Sequence, residues 1–234
     1  MKKAVVTGGS SGIGAAVAEL LSASYDVYIL DAQKPNGSLK HYQVDVTDAS
    51  KLKSALQEIG DVAVVVHAAG IYLASELTEM SDDDIFKQVD VNLVGTGLVN
   101  KYALQHMSSG GVIVNVASSL GVVPEPESPM YCASKAGIIM LTKALAQRYA
   151  SQQIRINAIL PGPIDTPLLR EAFPTEQDFS DYEKLNPMGR VGRPEEVAKL
   201  VNYLISDDAT YITGACMAID GGESSSSLYS PVRR

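Results

Sequence analysis

Three side chains in this sequence have the types and spacing for proton transfer. Tyr131 and Lys135 stand four residues apart in Met130-Tyr131-Cys132-Ala133-Ser134-Lys135, and Ser118 lies thirteen residues before the tyrosine. In a helix, positions i and i+4 share a face, so the phenol and the ammonium project together. Free tyrosine titrates near pH 10, too high for a base at neutral pH. An ammonium about 5 Å away favours the phenolate by roughly 3 kcal/mol at an effective dielectric near 20, on the order of two pKa units. Ser118 offers a hydroxyl that can hydrogen-bond the oxygen of an alcohol or carbonyl while Tyr131 takes or gives its proton. Taken alone, Tyr-x-x-x-Lys is also a common surface pair on amphipathic helices. The elements around it decide its meaning.

The first of those elements is a short β-branched run, residues 3–7, followed at once by Gly8-Gly9-Ser10-Ser11-Gly12-Ile13-Gly14. Ile13, Val17, Leu20 and Leu21 then recur at helical spacing, so the order is strand, glycine loop, helix. Such a loop lets backbone approach a pyrophosphate, and the helix start supplies free N–H groups and a positive dipole end. A second apolar run, Val27 to Leu30, ends in Asp31, where a carboxylate can bind an adenosine ribose and repel a 2′-phosphate. With no Lys or Arg in the loop, the expected cofactor is NAD rather than NADP; Lys34 is the nearest base that could permit NADP. The same loop also reads Gly8-x-Ser10-x-Gly12, the strand-to-helix elbow of α/β hydrolases. That reading needs a late histidine, and the histidines are His41, His67 and His106.

Further strands are expected at His41 to Val44, Val62 to Val66, Gly111 to Ala117, Ile154 to Leu160 and Cys216 to Ile219. Helices are expected from Asp48 to Ile59, from a Ser81 cap to about Met107, from the Tyr131 segment to about Ala150, and from Pro194. Asn92 falls inside the second helix, as a kink residue or as part of a polar relay. The strand ending at His67-Ala68-Ala69-Gly70 is apolar throughout, and His67 reads as a satisfied core histidine. Ser118 sits at the carboxyl end of its strand, the edge where open parallel sheets bind ligands. Residues 164–188 lose clean periodicity and are expected to form an irregular substrate lid, and residues 223–234 a loose tail. Alternating strands and helices without repeats predict an α/β fold: a single doubly wound, Rossmann-like parallel sheet of about seven strands, helices on both faces, over residues 1–222.

The 234 residues are 46% hydrophobic and 20% charged, as in a globular domain. A net charge of −8 argues against nucleic acid and against anionic membrane, which leaves a small molecule as the expected partner. Met1-Lys2-Lys3 starts like a signal peptide, but a Thr-Gly-Gly run soon interrupts the apolar stretch, so a cytoplasmic location with Cys132 and Cys216 reduced is expected. The histidines are far apart and no metal-ligand spacing occurs, so no metal site is expected.

In this order and spacing, Thr7-Gly8-x-x-x-Gly12-x-Gly14, Asp45, Ala69-Gly70, Asn92, Ser118, Tyr131-x-x-x-Lys135, Pro161-Gly162 and Asp220-Gly221-Gly222 resemble the short-chain dehydrogenase/reductase family. The resemblance implies hydride transfer between NAD(H) and a secondary alcohol or ketone. It makes Tyr131 the general acid/base, Ser118 the group that polarises the reacting oxygen, Lys135 the residue that lowers the tyrosine pKa and holds the nicotinamide ribose, and Asn92 the support of a water relay. It places Gly8, Ser11, Gly12, Ile13 and Gly14 at the pyrophosphate, Asp31 at the adenosine ribose, Asp45 and Val46 at the adenine, Ala69 and Gly70 beside the cofactor, and Ile164 and Thr166 at the carboxamide. It also implies a homotetramer packed through the helices of Asn92 and Tyr131. Two departures stand out: His67-Ala68 where the family often has Asn-Asn, and a short span between Asp31 and Val62 that reduces the second helix to a turn around Pro35-Asn36-Gly37. A 3-oxoacyl thioester reductase is the alternative activity. Glu125, Glu127 and an acidic lid oppose an acidic acyl carrier, although Arg170, Arg190 and Arg193 could offset them. A nucleotide sensor without catalysis has no need of Ser118, Tyr131 and Lys135 together.

Overall fold

The structure is a computed structural model, and it describes residues 1–173 and 175–225. Seven strands form one parallel sheet in the order β3-β2-β1-β4-β5-β6-β7. They are β1 Lys3–Thr7, β2 Asp26–Asp31, β3 Lys40–Gln43, β4 Val64–His67, β5 Val112–Val116, β6 Arg155–Pro161 and β7 Cys216–Ile219. The order reverses between β1 and β4, and the loops leaving these neighbours diverge to opposite faces, which opens a crevice at their carboxyl ends. Residues 32–39 join β2 to β3 as a loop, the shortened connection that the short span implied.

Alternation along the strands distributes the core. Ala4, Val6, Val64, Val66 and Val114 face helices α1 (Gly12–Ser22) and α8 (Pro194–Ile205), meeting Val17, Leu21, Val197, Val201 and Leu204. Val5, Val65, Ile113 and Ile156 face the other way, against α2 (Ala49–Ile59), α4 (Gly95–Leu104) and α5 (Pro129–Tyr149), where Leu52, Leu56, Val99 and Ala146 pack. A parallel sheet covered on both faces needs strands of this unbroken apolar kind. Asp48 caps α2 through its carboxylate, which accepts from the Ser50 and Lys51 N–H groups.

Three expectations are corrected. The helix expected from Ser81 to Met107 is α3 (Asp82–Val89), one π-helical turn (Asp90–Val94) and α4 in succession, with Asn92 inside the wide turn. Residues 164–188 are not simply irregular: α6 (Pro167–Ala172) and α7 (Glu176–Glu183) form there, capped by Thr166 and Thr175. They are too short for an apolar periodicity to register, and Phe173 stacks on Tyr182, with ring centroids 4.2 Å apart, to hold them together. At the far end, Glu223–Ser225 are a 3-10 turn rather than loose chain, and the rest of the expected tail, residues 226–234, lies outside the described residues.

Candidate active site

The carboxyl edge of the sheet carries two adjoining cavities. One, of about 370 Å³, lies at the β1/β4 crevice and is lined by Gly8, Ser11, Gly12, Ile13 and Gly14 from the glycine loop, Asp31, Asp45 and Val46 from the ends of β2 and β3, Ala69 and Gly70 after β4, and Thr166. The other, of about 310 Å³, contains Ser118, Tyr131, Lys135 and Ile164, and it shares Ile13, Gly70 and Thr166 with the first. The sequence-predicted cofactor and proton-transfer residues are thus drawn to one continuous edge, with Asn92 just behind Gly70. Lys87, on the exposed side of α3, also lines the first cavity; it was missed because a lysine in a surface helix carries no signal of its own.

The glycine loop is shaped by close approach. Gly8 has φ +65°, and a Cβ there would lie 2.6 Å from the Ala69 nitrogen, so a side chain would collide with the turn after β4. Ser11 precedes α1 in extended geometry and its side chain makes no capping hydrogen bond, which leaves the helix's first N–H groups for a ligand. Asp31 orders the neighbouring loop: its carboxylate accepts from the Ser10 N–H at 3.0 Å and the Gln33 N–H at 2.9 Å. A dinucleotide fits this cavity, because bare backbone offers the N–H donors that a pyrophosphate needs and the Asp31 carboxylate lines the same cavity as a hydroxyl acceptor.

The proton-transfer residues sit on rigid supports. Ser118 leaves β5, is 8% exposed, and accepts from the Leu120 N–H at 3.1 Å. Pro129 at the first turn starts α5, which presents Tyr131 and Lys135 one turn apart. Lys135 is 5% exposed; its Nζ donates to the Val116 carbonyl at 3.2 Å and lies 5.5 Å from the centre of the Tyr131 ring. Burial pushes the Lys135 ammonium down to about 8. The expected lowering of Tyr131 is corrected: burial pushes the phenol up to about 12, while hydrogen bonding with Ser118 pulls it down by less. The desolvation of a phenolate in the cleft, with smaller contributions from Tyr72 and Cys132, outweighs the Ser118 hydrogen bond.

Asn92 is fully buried. Its Oδ1 accepts from the Ile71 N–H at 2.9 Å, and its Nδ2 donates to the Ile71 carbonyl at 2.9 Å and to Ser134 Oγ at 3.2 Å. Ser134 Oγ in turn donates to the Tyr131 carbonyl at 2.8 Å, so the wide turn, the loop after β4 and the start of α5 are tied by one amide. His67 is buried as expected, hydrogen-bonded to Thr7 Oγ1 at 2.6 Å, and burial with the nearby Lys135 charge pushes its imidazole down to about 3. Among the described residues, no group of three or more His, Cys, Asp or Glu could hold a metal ion, and no helix is long and apolar enough to cross a membrane.

A doubly wound parallel sheet with a glycine loop at its switch point and a Ser-Tyr-Lys set beside it defines a dinucleotide-dependent oxidoreductase. The comparisons agree. A family model described as enoyl-(acyl carrier protein) reductase, adh_short_C2, matches residues 8–224. The chain is 34% identical to the 3-oxoacyl-[acyl-carrier-protein] reductase FabG of Thermotoga maritima, covering 94% of this chain and 97% of that one. It is 37% identical to the NAD-dependent glycerol dehydrogenase of Listeria innocua, over 94% and 93% of the two chains. The ligand-free aldohexose dehydrogenase of Thermoplasma acidophilum superposes with a TM-score of 0.94 at 34% identity, covering 99% of this chain and 97% of that one. The chain belongs to the short-chain dehydrogenase/reductase family.

Proposed function

We propose that this protein transfers hydride between NAD(H) and a secondary alcohol or its ketone. The observation that carries the reading is the meeting of Ser118, Tyr131 and Lys135 in a cavity that opens into the glycine-loop cavity. A bound nicotinamide supplies the hydride chemistry. Ser118 and Tyr131 both hydrogen-bond the reacting oxygen, Ser118 fixing its position and Tyr131 carrying the proton between that oxygen and solvent. Lys135 holds the nicotinamide ribose and favours the phenolate whenever it is charged, and Asn92 keeps Ile71 and the start of α5 in register with both. Gly8, Ser11, Gly12, Ile13 and Gly14 meet the pyrophosphate, Asp45 and Val46 the adenine, Ala69 and Gly70 the adjoining cofactor face, and Ile164 and Thr166 the carboxamide.

NAD is assigned over NADP because the Asp31 carboxylate lines the adenosine end of the cavity, whereas Lys34 is not among the residues lining it. Residues 164–188 act as the substrate lid, a role supported by Leu168, Leu169, Phe173 and Tyr182 on the wall of the second cavity. The chain is assigned as a cytoplasmic homotetramer. Free Cys132 and Cys216 suit a reducing compartment, and subunit packing is supported by Phe86 on α3, Val94 in the π-helical turn and Met140 on α5, large apolar side chains that are 66%, 45% and 64% exposed. A 3-oxoacyl thioester reductase is the second reading, favoured by the FabG likeness. It loses the offset expected from the lid arginines: Arg170 pairs with Asp165 and Glu176, and Arg190 and Arg193 pair with Glu196.

Titration with NADH and then NADPH, followed by nicotinamide fluorescence, tests the reading without knowledge of the substrate. Tighter NADH binding is expected. Tighter NADPH binding would overturn the Asp31 assignment, and binding of neither would overturn the oxidoreductase.

A further inference from the structure

The first residues of the stretch expected as a loose tail, Glu223–Ser225, lie at the catalytic cavity. Asp220, just after β7, accepts from the Gly222 N–H at 3.0 Å and the Ser224 N–H at 2.8 Å, and its carbonyl accepts from Asn186 Nδ2 at 2.9 Å. Gly221 and Gly222 have φ +64° and +89°, and a Cβ on Gly221 would come 2.3 Å from Asn186 Oδ1, so glycine is required for the reversal. The turn carries Glu223 to the wall of the cavity that holds Ser118, where Ser119 Oγ donates to its Oε2 at 2.6 Å. Glu125 and Glu127 from the loop after β5, Tyr72 from the loop after β4 and Tyr182 from α7 line the same cavity.

These groups divide into acceptors and donors. Three carboxylates accept. Tyr182, pushed up to about 12 by burial and by Glu223, and Tyr72, also raised by burial, stay protonated, so each phenol has a proton to donate as well as an oxygen that accepts. An ammonium can donate but not accept, a carboxylate only accepts, and an acyl chain does neither. A hydroxyl does both. We propose that the substrate of the oxidoreductase site, on which this inference rests, is an uncharged polyhydroxylated alcohol or its carbonyl form, of the aldose or polyol kind. Glu223, Glu125, Tyr72 and Tyr182 select it through the hydroxyls beside the reacting carbon. At about 310 Å³ the cavity is at the small end of the range of about 300–1,000 Å³ for small-molecule sites, a size suited to such compact molecules.

The test is the ratio of kcat/KM for a panel of aldohexoses and polyols to that for cyclohexanol, measured on the full chain with saturating cofactor, with acetoacetyl-CoA reduction alongside. The best polyhydroxylated substrate is expected to exceed cyclohexanol by about 10-fold or more, as for a site that hydrogen-bonds substrate hydroxyls. Glu223→Leu should lower that ratio by about 10-fold, and Glu223→Gln, which keeps one acceptor, by less. A merely structural role for Glu223 would move both substrates together and leave the ratio constant, which overturns the proposal. Preference for cyclohexanol or acetoacetyl-CoA overturns it as well, as does NADH binding without turnover of any polyhydroxylated compound. Loss of NADH binding by the native chain would instead sink the oxidoreductase reading beneath it.

Discussion

Tyr131 is held between burial, which keeps its proton on, and the Ser118 hydroxyl and Lys135 charge, which favour its loss. Burial prevails, so the phenol is protonated near neutral pH. Removing the hydroxyl isolates its role: Tyr131→Phe should lower kcat by about 10²- to 10⁴-fold while NADH titration stays unchanged. Lys135 adds a pH dependence. Its folded pKa near 8 means that the ammonium is present below that pH and lost above it, so kcat/KM for reduction should decline as pH rises through about 8. A profile level from pH 6 to 10 would remove Lys135 from the proton-transfer set. His67 titrates in the opposite sense for stability. Its imidazole is neutral when folded down to about pH 3 but gains a proton near 6.5 when unfolded, so its contribution is present above 6.5 and lost as pH falls toward 3. Urea unfolding should therefore show about 2 kcal/mol of stability lost between pH 7 and 5 that a His67→Asn variant does not lose.

The π-helical turn between α3 and α4 lets Asn92 point inward with its whole amide engaged. A regular helix would swing that position away from Ile71. Asn92→Ala strands the Ile71 N–H and carbonyl, and should cost about 1–3 kcal/mol in urea unfolding together with a loss of turnover. Behind it, polar residues line the same face of three neighbouring strands: Thr7 with His67, and Asn115 with Asn100 and Thr142 at 2.9 and 3.0 Å. The first pair ties the carboxyl ends of β1 and β4 together, and Asn115 ties β5 to α4 and α5. His67, where the family often has asparagine, is paired at Nδ1 with the Thr7 hydroxyl, while its buried Nε2 has no hydrogen-bond partner among the described residues.

At the level of the whole molecule, the divergence of loops at the β1/β4 switch sets one cavity beside the other. Residues distant in sequence, such as Gly8, Tyr131 and Glu223, come to one edge for that reason. Phe86 on α3, Val94 in the π-helical turn and Met140 on α5 are large apolar side chains left exposed. Light scattering should report four chains per particle, and Phe86→Glu with Met140→Glu should reduce that number by placing like charges where surfaces must dehydrate. A native chain that runs as a monomer would refute the tetramer.

The local pattern by itself determined the α/β architecture, because buried parallel strands read as apolar runs and helices such as α2 and α8 carry an amphipathic period of their own. The glycine loop, Ser118 and the Tyr131–Lys135 pair were likewise legible, since each depends on neighbours in the chain or on a strand end. Tertiary structure decided what depends on distant partners: the upward push on Tyr131, which arises from burial, the π-helical turn, which is tied to Ile71 across the fold, and the docking of α6 and α7, which is too short to show a period. It also decided the fate of Glu223, because no pattern in a Ser-rich stretch reveals that Asp220, Asn186 and Ser119 are waiting to hold it in the cavity.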